Sequence, residues 1–194
     1  MNYLSNSDAL IIDLRQNGGG SPKMIQLITS FLYGPEPVHL NNFYWRPQDL
    51  HTQTWTLPYV PGNRRPDMDV YVLTSKRTFS AAEEFSYNLR NLERATLIGE
   101  TTGGGAHPGG TNIATDRFAI WVPSGKAINP ITNDNWEGGG VKPHIESAAE
   151  DALSIAHQEA LKSLIKNNGE ANAFAYKWAL EGLEADQNQV NLNK

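Results

Sequence analysis

The chain alternates short apolar runs with stretches of helical period. Residues 9–14, ALIIDL, form a continuous apolar run closed by a charge. The polar, glycine-rich RQNGGGSP follows, then the apolar-periodic KMIQLITSFLYG. This predicts strand, glycine turn and helix, with Ser21 as N-cap and Pro22 at the first helical position. The unit repeats downstream: DVYVLTS reads as a strand, and Ala81, Phe85, Leu89 and Leu92 then recur at helical spacing. RATLIGE and RFAIWVPS are two further strands, and EDALSIAHQEALKSLI is a helix with Leu153, Ala156, Ala160 and Leu164 on one face. Strands alternating with helices predict an α/β fold with a largely parallel sheet covered on both faces.

Elsewhere the period fails. Residues 34–66 are rich in Pro, Asn and aromatics and read as a long irregular excursion with a short strand around TQTWTL. Its aromatics Phe43, Trp45, Trp55 and Tyr59 are candidates for lining an apolar pocket. After KNNGE, the stretch ANAFAYKWALEGLEA reads as a second amphipathic helix and DQNQVNLNK as a frayed end. The expected division is a core over residues 1–165 and a helical tail over 166–194, the start of a further segment.

Composition narrows the function. A net charge of -5 and the lack of any Lys/Arg cluster exclude nucleic acid as a partner. With no cysteine there is no disulfide framework and no thiolate metal site. No apolar run approaches the ~20 residues that cross a bilayer, and MNYLSNSDALIIDL lacks the regions of a secretory signal. Met1 nevertheless stands only a few residues before a core strand, so a targeting segment upstream is expected.

Three glycine clusters, at 18–20, 103–105 and 138–140, adjoin strands and are expected to converge at one sheet edge. Backbone without side chains admits close approach, and free N–H groups at helix starts stabilise negative charge. Nucleotide motifs do not fit. Lys23 stands where a dinucleotide loop needs its third glycine, and Ile120 where a phosphate loop before Gly125 and Lys126 needs its first. Ser80 opens the second helix. FSAAE matches a capping box with Glu83 three residues on. The same geometry would aim a nucleophile at an oxyanion beside the Ala81 N–H. Both readings stay open on local grounds.

Four segments, LIIDLRQNGGG, VLTSKRTFSAAEEF, ATLIGETTGGG and NWEGGGVKPHIE, together resemble the catalytic domain of the tail-specific, or C-terminal processing, serine peptidases of family S41, which include the tricorn core and the interphotoreceptor retinoid-binding protein repeats. The resemblance implies a crotonase/ClpP-like ββα spiral, Ser80 as nucleophile, and an oxyanion hole from the N–H groups of Ala81 and of Gly19 or a neighbour. It implies no cofactor and no metal. The general-base lysine of the bacterial branch should lie 25 residues after the serine, where this chain has Gly105, so a Ser–Lys mechanism is excluded. The tricorn-like branch uses an upstream histidine with a glutamate that maps onto Glu137, 57 residues after Ser80. Residues 1–8 hold no histidine, so the base is expected from a segment upstream of this chain.

His107 is the histidine best placed to reach Ser80, and is read as lining the substrate groove or bonding its loop, with the role of base as the alternative. An extended peptide would lie along the strand edge near Gly104 to Gly109, with Gly104, Gly105 and His107 as its expected contacts. Glu83 and Glu84 read as acids favoured by the helix dipole, and Asp13 and Arg15 as a local pair. The expected partners are a peptide or protein substrate, the upstream segment and, as an open option, further copies of the chain. The expected compartment is the cell envelope, with the cytoplasm as alternative. The rival reading is a non-catalytic module on the same fold, carrying retinoid or lipid or serving as a scaffold.

Overall fold

The computed structural model describes residues 2–192. The main sheet follows the predicted units. β1 (Ala9–Asp13) leads through the first glycine turn into α1 (Pro22–Phe31), with Ser21 extended at its N-cap and Pro22 in the first turn. The excursion that follows is ordered into an antiparallel hairpin, β2 (His39–Trp45) and β3 (Leu50–Trp55). Asp49 in the left-handed region (φ 46°) closes its turn. β4 (Asp69–Thr74) precedes α2 (Ala81–Asn91), and β5 (Thr96–Gly99) leads into the second glycine loop.

Beyond that loop, β6 (Gly109–Ile113) and β7 (Ala119–Pro123) form a two-stranded antiparallel ribbon. β8 (Gly125–Ile128) joins the antiparallel sheet in the order β3-β2-β8. The short β9 (Ile145–Glu146) completes a parallel sheet of order β1-β4-β5-β9, and α3 spans Ala152–Leu192.

The parallel sheet separates two cores by strand alternation. Leu10 and Ile12 of β1, Val70 and Val72 of β4 and Leu97 of β5 face α1 and α2, where Ile25, Phe85 and Leu89 pack. The intervening Ala9, Ile11, Tyr71, Leu73 and Ile98 face Ala152, Ala156 and Ala160 of α3. Val72, Leu73, Leu89, Leu97 and Ile98 are fully buried, each worth about 2 kcal/mol of apolar transfer. The α/β class and the covered parallel sheet are as the pattern predicts.

Two expectations about elements are corrected. Residues 34–66 hold the expected strand around TQTWTL as β3, but it pairs with an unexpected β2, where Leu40 and Phe43 are buried. The rest stays without α-helix or strand yet is pinned by Arg64, which donates to the carbonyls of Ser30, Gly34 and Leu57 at 2.5, 3.0 and 2.7 Å. The two C-terminal helices are one, since α3 continues through KNNGE and into DQNQVNL. Glycine costs a helix only about 1 kcal/mol, so a single Gly does not end it. Asn193 and Lys194 lie outside the described residues. Long as α3 is, no described helix is long and apolar enough to cross a membrane.

Candidate active site

The site forms beyond the C-terminal ends of β1, β4 and β5, where ligands bind in open parallel sheets. The turn after β4 places Ser80 at the start of α2 and is fixed from several sides. Thr78 Oγ1 donates to the Leu14 carbonyl (2.8 Å), Ser75 Oγ to that of Arg15 (2.6 Å), and the Phe79 N–H to that of Asn17 (3.1 Å). The turn that carries Ser80 and the first glycine turn are therefore one hydrogen-bonded unit.

Within it Ser80 adopts φ 55°, ψ -121°. A serine that only caps a helix sits in the extended region. This conformation costs on the order of 1–3 kcal/mol for a residue with a Cβ and persists only where the surroundings impose it. Ala81 is the first helical residue, and its N–H has no intrahelical acceptor. Gly19 (φ +126°) brings its backbone against the serine, so that a Cβ there would lie 3.0 Å from Ser80 Cβ and 3.4 Å from its Oγ. Its N–H is held by Asn17 Oδ1 at 2.9 Å, whereas the N–H of Gly20 takes no acceptor among the described residues.

The three glycine clusters converge. The Gly138 N–H donates to the Gly104 carbonyl at 2.9 Å, and a Cβ on Gly104 (φ +89°) would stand 3.1 Å from the backbone of both Gly138 and Gly140. The link to Ser80 is Glu83, fully buried on α2. Its carboxylate accepts from the N–H groups of Ser80 (2.8 Å), Gly104 (2.6 Å) and Gly105 (2.9 Å) and from Thr102 Oγ1 (2.5 Å). Val141 N–H donates to that hydroxyl at 2.7 Å, which frees its proton for Glu83. A residue expected as a capping-box partner and an acid favoured by the helix dipole thus ties the serine to the second glycine loop. The capping-box spacing was its one sequence signal.

Glu137 and His107 meet on the outer side of the Gly104–Ala106 loop. Glu137 Oε2 accepts from the Ala106 N–H at 2.6 Å and lies 3.8 Å from His107 Nδ1, both side chains being partly exposed. Asp13 and Arg15 pair locally as expected, at 2.7 Å.

Ser80 opens on a cavity of about 230 Å³ lined by Gly20, Phe43, Ala81, Glu84, Gly105, Ala106, Trp121 and Trp136 among others. Phe43 is the excursion aromatic that reaches it. Neither His107 nor Glu137 is part of its lining. A second cavity of about 130 Å³, on the other side of Gly20 and Ala81, is walled by Leu14, Met24, Ile25, Ile28 and Phe85. Glu84 is 4% exposed. Burial pushes its carboxyl up to about 7, against a smaller opposing effect of the Asn41 amide. Glu84 has no ion-pair partner among the described residues.

A strained serine at a helix start, with glycine backbone against it and a side-chain-sized cavity beside it, thus forms one site on an α/β scaffold. The model of peptidase family S41 matches residues 1–147, and the chain belongs to that family. The fold is similar to that of mature CPAF (TM-score 0.68, 17% identity, covering 86% of this chain and 46% of that one). It is likewise similar to the photosystem II D1 C-terminal processing protease (0.57, 20%, 74% and 35%) and to a lipoprotein from Streptococcus agalactiae (0.61, 20%, 84% and 57%). The chain thus spans between about a third and little more than half of the length of these proteins.

Proposed function

We propose that the chain carries the catalytic core of a serine-type peptidase, with Ser80 as nucleophile. The observation that carries this reading is the Ser80 backbone, held at φ 55° against the first glycine turn and beside the open Ala81 N–H. In acyl transfer Ser80 Oγ bonds to the substrate carbonyl carbon as its proton passes to a base. The C–N bond then breaks, the base protonates the leaving amine, and water releases the acyl group by the reverse sequence. The oxyanion meets the N–H of Ala81 and the first glycine turn, where the Gly20 N–H is open and that of Gly19 is held by Asn17. The N–H groups of Gly104 and Gly105 are taken by Glu83, so an extended peptide along this loop would meet their carbonyls alone.

For the base we assign an imidazole from an upstream segment, with Glu137 as the carboxylate that orients it. The contact between Glu137 and His107 favours a second reading, in which His107 is that imidazole. The retinoid-carrier reading is disfavoured by size, since both cavities beside Ser80 fall below the ~300 Å³ where small-molecule sites begin.

A fluorophosphonate probe tests the proposal. It is expected to label this chain, or the chain extended by its native upstream sequence, at Ser80 and not in the Ser80→Ala variant. Labelling of neither form overturns the peptidase reading. Labelling of the chain alone that vanishes in His107→Ala assigns the base to His107.

A further inference from the structure

The cavity beside Ser80 contains a group that the proposed mechanism does not use. Its walls are glycine, alanine and proline together with the rings of Phe43, Trp121 and Trp136, and the one ionisable side chain among them is Glu84. The neighbouring Glu83 is saturated by four donors. Glu84 lines the cavity without a counter-charge: no cationic side chain is part of the lining, and none pairs with it among the described residues.

We infer that this cavity is a recognition pocket for a long cationic side chain of the substrate, lysine or arginine, with Glu84 as the group that receives its charge. The inference rests on the peptidase reading for the nature of the substrate.

Three physical arguments select this occupant. A buried carboxylate with no counter-charge is costly to ionise. An apolar side chain filling the cavity would leave that cost in place, whereas a cationic one removes it. The aromatic walls suit such a side chain along its length, since its methylene stem packs on rings and its charge is attracted to their faces. Finally, burial holds the empty-pocket carboxyl near the edge of ionisation, at about 7, and a cation at contact distance favours the ionised form. The binding group is thus neutral enough to stay buried without a ligand and becomes charged when one arrives.

Binding can be read without catalysis. Matched pentapeptides with lysine or norleucine at the central position are titrated into the Ser80→Ala chain and followed by tryptophan fluorescence. The lysine peptide is expected to bind about tenfold tighter or better. The preference should fall to about twofold or less when Glu84→Gln, which keeps the side chain's shape, is added. Equal binding, a preference for norleucine, no measurable binding of the lysine peptide, or a lysine preference that survives Glu84→Gln each overturns the inference. The first three are read on Ser80→Ala alone and do not depend on how the second substitution folds. Fluorophosphonate labelling keeps the two claims apart: lysine preference without labelling sinks the peptidase reading alone, and labelling without lysine preference sinks the pocket alone.

Discussion

Ser80 and Glu83 illustrate how a single residue type acquires its role from backbone and burial. At φ 55° any side chain at position 80 is strained, so the two ways of deleting the hydroxyl should differ. Ser80→Gly is expected to be more stable than Ser80→Ala by about 1 kcal/mol, with both unlabelled by fluorophosphonate; equilibrium denaturation of the pair measures the difference. Glu83→Gln tests the hub. The amide turns an N–H₂ toward N–H donors that now meet a carboxylate, and stability should fall by about 3 kcal/mol, with slower labelling of Ser80. The sequence made Ser80 legible twice, as a cap and through its family motif. It did not distinguish Glu83 from Glu84, because adjacent acids in a first turn look alike until tertiary packing surrounds one with donors and turns the other toward a cavity.

Elements were legible where a single period decides them. β1, β4, β5, α1 and α2 carry near-continuous apolar runs or clean helical spacing and formed as predicted, whereas the two-residue β9 has no run to announce it. The hairpin of β2 and β3 was not, because HLNNFYW sets two asparagines among its apolar positions and its turn depends on a left-handed Asp49. Asn41 is fully buried all the same. β6, written GGTNI, carries glycine where strand propensity is low. The glycine loops, by contrast, were read correctly as converging. Their packing is backbone against backbone, so Gly104→Ala should be poorly tolerated: its φ is +89° and its Cβ would meet the main chain of Gly138 and Gly140 at 3.1 Å. A loss of about 2 kcal/mol in denaturation is expected, with labelling of Ser80 reduced because Gly104 and Gly105 are bonded to the same carboxylate that holds the Ser80 N–H.

For the molecule as a whole, buried titratable groups set how stability depends on pH. Glu84 has its folded pKa raised to about 7 from 4.5 by burial. Between those values the folded state holds a proton that the unfolded state has released, so stability falls as pH rises through that window. At ~1.4 kcal/mol per unit the full effect is about 3 kcal/mol, complete above the folded pKa and absent below the unfolded one. His144 acts in the opposite sense: burial first, and Arg90 second, lower its pKa, so its contribution is lost as pH falls below the ordinary histidine range. Asp13, lowered mainly by its hydrogen bond to Arg15, likewise loses its contribution in acid. Both are largely exposed pairs or partly buried rings, and screening keeps their effects small. The wild-type curve therefore mixes terms, but its difference from Glu84→Gln isolates one. Urea denaturation from pH 4 to 8 should show the variant gaining on the wild type by about 3 kcal/mol between the acid and neutral ends. A difference that does not change across that range would mean that Glu84 has the same pKa folded as unfolded. The same titration repeated with the lysine pentapeptide bound should flatten, because the cation lowers the pKa that burial raised.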